Sequence, residues 1–190
     1  MEKSFEEKLV LKDGRKLHLS FLQSSESDMA EYLDWCKNDY SKNDNMTTHL
    51  NLLYAQAEYD FAVNGNGEKA INNLIAGLSE YGDRQFDHAS DILAYMDAAS
   101  LLTELLLRLG RIAEALKWSE DVYDIALANF PRTVEICYAQ ELYACCLYAS
   151  GRNDDAKYMF EAALSGIEGE IDSAEDLRNV IKKNIGELSE

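Results

Sequence analysis

Three glycines set the terms on which this chain can fold. Gly65, Gly110 and Gly151 each close a long amphipathic stretch, and each is followed five residues later by an alanine: Ala70, Ala115 and Ala156. The glycines lie 45 and 41 residues apart. A recurrence in this range marks a chain built from stacked supersecondary units. Glycine adopts the left-handed backbone that ends one helix and turns the chain back. Alanine on the returning helix lets the two axes approach closely. Such a pair cannot bury its apolar face alone, so neighbouring pairs must stack.

The helical period holds from about residue 27 onward. Ser27 or Asp28 is the expected cap of a first helix through MAEYLDWCKNDY. Further helices are expected over 46–63, over GEKAINNLIAGLSEY, from about Asp87 to Leu109, over 111–130, over TVEICYAQELYACCLYAS and over NDDAKYMFEAALSGI. A last helix, AEDLRNVIKKNIGEL, is expected to be capped by Ser173.

Residues 1–23 differ in character. They carry five basic and four acidic residues, a net +1 in a chain of −17, so the remainder carries −18. Phe5, Leu9, Leu11, Leu17, Leu19 and Phe21 are apolar, and Lys8, Lys12, Lys16, His18 and Ser20 between them are polar. Strict alternation predicts half-buried strands. A two-residue loop at Asp13-Gly14 would set Leu9 against His18. A three-residue loop, Lys12-Asp13-Gly14, sets Leu9 against Leu17 and Phe5 against Phe21, with Gly14 in the left-handed position. The three-residue loop is therefore expected. A lone hairpin is marginal in water, so its apolar face must pack on something. It is read as a lid over the first helices, with an edge open to a partner strand as the alternative.

Composition narrows the function classes. With 35 acidic against 18 basic residues, the chain is repelled by nucleic acid and by anionic membranes. The apolar run LLTELLLRLG is broken by Glu104 and Arg108 and is too short to span a bilayer. The N-terminus lacks the features of a signal peptide, and an unprocessed cytoplasmic protein is expected. Cys36, Cys137, Cys145 and Cys146 form no C-x-x-C pair and are read as reduced, small apolar side chains. His18, His49 and His88 are too scattered to form a metal pair. No phosphate loop, dinucleotide fingerprint or nucleophile elbow occurs. NGNG at 64–67 is read as an interhelix turn, and GIEGEIDSAED lacks the calcium-loop pattern. No cofactor, metal or catalytic residue is expected.

The G-x-x-x-x-A junctions resemble tetratricopeptide repeats, in an extended variant. Phe61, Leu106 and Leu147 sit four residues before each glycine, where the family keeps a large side chain. Thr103 and Ala144 sit seven before, where it keeps a small one, and Phe160 and Ala163 fit the last repeat's second helix. The likeness covers about 46–168, with 173–188 in the place of a capping helix. Glu58 and Ser119 depart from the pattern, and the spacing exceeds the family's common period of about 34. The expected fold is thus all-α: a right-handed solenoid of helical hairpins over 27–190, with a β-hairpin segment at 1–23.

The resemblance also implies which face lines the concave groove. Counting back 13, 10, 6 and 3 residues from each glycine gives Leu52, Ala55, Tyr59 and Ala62; Asp97, Ser100, Glu104 and Leu107; and Tyr138, Glu141, Cys145 and Tyr148. The candidate groove residues are Leu52, Tyr59, Asp97, Glu104, Tyr138, Glu141 and Tyr148. Tyrosines offer rigid contact area with a polar tip, and carboxylates among them select Lys or Arg. Ala55, Ser100 and Glu141 occupy positions where relatives that clamp acidic chaperone tails carry basic or amide side chains. The expectation is a non-enzymatic adaptor or chaperone-like module for a basic peptide or protein. The alternatives are an acidic inhibitor or immunity-type protein that neutralises a basic enzyme, and, as a minor reading, a carboxylate enzyme. Self-association into a homodimer through the hairpin edge or the last helix stays open.

Overall fold

A computed structural model describes residues 3–23, 25–82, 86–167 and 174–188. The chain is all-α apart from one N-terminal hairpin. Strands β1 (Lys3–Val10) and β2 (Lys16–Gln23) precede helices α1 (Glu26–Lys42), α2 (Met46–Ala62), α3 (Gly67–Ser79) and α4 (Ala89–Arg108). Helices α5 (Ile112–Asn129), α6 (Val134–Ala149), α7 (Asn153–Ile167) and α8 (Glu175–Glu187) complete the chain. Among the described residues, no helix is long and apolar enough to cross a membrane.

Two compact units result: Met1–Gln23 with Leu106–Glu190, and Ser24–Leu105. The division expected after residue 23 is thus replaced by one in which the hairpin belongs with the C-terminal helices. Its apolar face needs a cover, and α8 and α6 provide it for β2. The expected lid over the first helices is corrected accordingly.

The hairpin register follows the alternation. Leu9 faces Leu17 and Phe5 faces Phe21. Gly14, at φ +88°, donates its N–H to the Leu11 carbonyl at 2.9 Å, and Leu11 N–H donates to the Arg15 carbonyl at 2.8 Å. Leu17 and Leu19 are buried at 0% and 2% exposure.

All three junction glycines take positive φ, and all three alanines are fully buried. Two junctions close identically. Gly110 and Arg111 N–H donate to the Leu107 and Leu106 carbonyls, and Gly151 and Arg152 N–H donate to the Tyr148 and Leu147 carbonyls, all at 2.9–3.0 Å. This is the Schellman closure. Arg111 and Arg152 then pair with Glu114 and Asp155 one turn on. The first junction closes differently. Asn66 N–H reaches back to the Asp60 carbonyl, and the buried Asp60 carboxylate takes Asn64 Nδ2 at 2.9 Å and Lys69 Nζ at 3.0 Å. Burial alone would raise the Asp60 pKa, but these bonds hold it below the usual carboxylate range.

Helix ends depart locally from expectation. The cap of α1 is Ser25, not Ser27 or Asp28: its Oγ accepts the Asp28 N–H at 3.1 Å, which starts the helix earlier. The expected cap at Ser173 lies outside the described residues.

Candidate functional site

In the unit holding the hairpin, α6 is buried almost all round, because β2, α5 and α7 pack on it. Three of the four candidate stripe positions on α6 are closed to solvent: Glu141 at 6%, Cys145 at 0% and Tyr148 at 2% exposure. Arg15, from the hairpin turn, seals one end. Its guanidinium lies 4.8 Å from the Tyr148 ring centroid and donates to the Tyr148 carbonyl, to the Ala149 carbonyl at 3.3 Å and to Asn153 Oδ1 at 3.4 Å.

A polar seam continues inward. Asn184 of α8 accepts the His18 N–H at 2.8 Å and donates to the His18 carbonyl at 2.8 Å, as a neighbouring strand would. The same amide reaches Cys145 Sγ at 3.8 Å, and that thiol donates to Glu141 Oε1 at 3.0 Å. Burial pushes the Glu141 carboxyl up to about 7, against a small opposing effect of the Cys145 thiol. His18 Nε2 sits 3.2 Å from Glu187 Oε1. The His18 contact holds the Glu187 carboxyl below its usual range, with help from Lys16 and Lys8.

Glu141 and Tyr148 therefore do not face an open groove here, which corrects their assignment as partner contacts. The hairpin and α8 occupy the space that a repeat-to-repeat reading leaves open. Tyr138, three residues before Glu141, is 45% exposed, and burial with Asp176, Glu141 and Glu135 nearby raises its hydroxyl pKa.

In the other unit, Leu52 and Tyr59 are half-buried. Both pack against a small core of Leu33, Cys36 and Ala55 between α1 and α2. Helix α1 precedes the first junction, so a count from the glycines gives it no place, yet it takes that face of α2.

Asp97 and Glu104 of α4 act electrostatically on Tyr54, which lies on a different face of α2 from Leu52 and Tyr59. Glu58, one turn after Tyr54, acts on the same hydroxyl. Burial raises the Tyr54 hydroxyl pKa, and Glu58, Glu104, Asp97 and Tyr32 raise it further. Tyr32 of α1 is raised by burial first, and by Cys36, Asp97 and Glu58. Burial alone raises the Glu58 carboxyl. Tyr32, Tyr54, Glu58, Asp97 and Glu104, from three helices of one unit, thus form an aromatic, acidic cluster that is exposed at Tyr32 and Asp97 and half-buried at Tyr54, Glu58 and Glu104. At its edge Trp35, 54% exposed, stacks on Tyr32 with centroids 6.1 Å apart and planes at 11°. The signals missed in sequence were Glu58, a misfit to the repeat pattern, and the Tyr32/Trp35 spacing within an acidic helix.

No family model and no curated protein matches the chain. Among solved structures it is similar to the crystal structure of BtubC (BKLC) from P. vanneervenii, with TM-score 0.65 and 15% identity, over 86% of this chain. The chain spans 63% of that protein's length. At this identity the likeness concerns the fold alone, an all-helical one.

Proposed function

We propose that this chain is a cytoplasmic, tetratricopeptide-like interaction module, an adaptor or chaperone-like protein that holds a basic segment of a partner. The observation that carries the reading is the exposed Tyr32/Trp35 stack on α1, with Tyr54, Glu58, Asp97 and Glu104 of the same unit within electrostatic range of one another and of Tyr32. Clustered carboxylates in a chain of net charge −17 speed the encounter with a cationic partner, and tyrosines supply contact area once it arrives. In the hairpin-bearing unit the α6 stripe is filled by that unit's own residues, which favours the Tyr32–Tyr54 cluster of the other unit as the binding face.

The test is capture on the immobilised full chain at low and at high ionic strength, beside the variants Glu58→Lys and Asp97→Lys. Proteins retained by the native chain at low salt, lost at high salt and lost from both variants support the reading. A partner retained equally by all three proteins, or held unchanged at high salt, overturns it.

A further inference from the structure

Most large apolar side chains of this chain are buried, but Tyr32 and Trp35 stand 39% and 54% exposed on consecutive turns of α1. Their rings are nearly parallel and stacked with centroids 6.1 Å apart, so two partly exposed aromatic rings are concentrated at one place on the helix. Asp28 and Glu31 sit one turn before Tyr32 and Trp35 on the same side of α1, while Asp34 is paired with Lys37 at 3.2 Å. Asp97 and Glu58 lie within electrostatic range of Tyr32.

We infer that the Tyr32/Trp35 pair and its neighbouring carboxylates form a docking surface for arginine side chains of a partner segment, in preference to lysine. The inference rests on the reading above and narrows its partner class. Charge complementarity requires a cation, and the stacked rings decide which one. A guanidinium is planar and weakly hydrated, so it lies flat on an aromatic ring while its edge donates two hydrogen bonds to a carboxylate. An ammonium is compact and strongly hydrated, and gains little from a flat ring. The chain makes the same choice internally, where Arg15 lies over Tyr148 and donates to oxygen acceptors around it.

Two synthetic peptides of equal length and charge, one of alternating Arg and Gly and one of alternating Lys and Gly, test this by calorimetry on the full chain. The arginine peptide is expected to bind about fivefold to tenfold more tightly. Trp35→Ala is expected to bring the arginine peptide to the level of the lysine peptide, while Trp35→Phe keeps most of the preference. Because Trp35 is exposed, both variants are expected to fold, which circular dichroism checks. Equal affinity for both peptides, or a preference that survives Trp35→Ala, overturns the arginine inference while leaving the acidic-surface reading standing. If neither peptide binds at low salt, that reading fails and the inference falls with it.

Discussion

The Arg15 guanidinium lies 4.8 Å over the Tyr148 ring, joining the hairpin turn to the last turn of α6. The position is favourable twice over. The aromatic face attracts the cation, and the carbonyl end of a helix adds its own negative potential. Arg15 is also held from behind by Asp13, whose carboxylate takes its Nε at 2.7 Å. That hydrogen bond keeps the Asp13 pKa below its usual value.

Removing this cation loosens the hairpin. Arg15→Ala is expected to cost about 1–2 kcal/mol in urea unfolding, and Arg15→Lys recovers little, since an ammonium cannot both cover the ring and reach the two carbonyls. Faster amide exchange in β2 locates the effect.

Asn184 bonds both backbone groups of His18 in a fully buried place. Asn184→Ala removes both of these buried hydrogen bonds, and is expected to cost about 2–4 kcal/mol. Asn184→Asp is expected to fail as well, because it turns an oxygen toward the His18 carbonyl. Equilibrium unfolding of both variants checks this.

The junction glycines separate backbone strain from steric clash. At Gly151 an added Cβ meets nothing within 4 Å, so Gly151→Ala costs only its positive φ, about 1 kcal/mol or more. Gly186, in the last turn of α8, also faces open space but has no positive φ. There the same substitution is expected to stabilise by about 0.5–1 kcal/mol. Paired thermal melts decide between the two signs.

Glu141 sets a pH dependence. Its folded carboxyl is raised by burial to about 7 from an ordinary 4.5, so folding favours the protonated form. The stabilisation is complete below about 4.5 and is lost progressively as pH rises from there through about 7, an effect on the order of 3 kcal/mol. Glu141→Gln is expected to remove that decline and to be the more stable protein at alkaline pH. Unfolding free energies across this range, native against variant, provide the check.

Local rules carried far in this chain. Alternation and one glycine were enough for the hairpin register, because a one-residue slip would have turned Leu9 and Leu17 to water. The junctions were legible because glycine takes, without strain, the left-handed turn that Gly110 and Gly151 make. The hairpin's destination was not legible. Nothing in the spacing of His18 and Asn184, 166 residues apart, announces that they bond. The groove stripe left out α1, whose Leu33 and Cys36 pack on the face holding Leu52 and Tyr59. On α4 the stripe residue Leu107 is buried, while Asp97 is exposed and, with Glu104, acts electrostatically on Tyr54.

The central claim is that a basic partner segment is held by the Tyr54 surface and not by the stripe under the hairpin. Hydrogen exchange of the full chain with and without the arginine peptide tests it directly. The account predicts slowed exchange in α1, α2 and α4 around Tyr32, Glu58 and Asp97, with α6 around Tyr148 unchanged. Protection confined to α6 and β2, with α1 and α2 untouched, would contradict it.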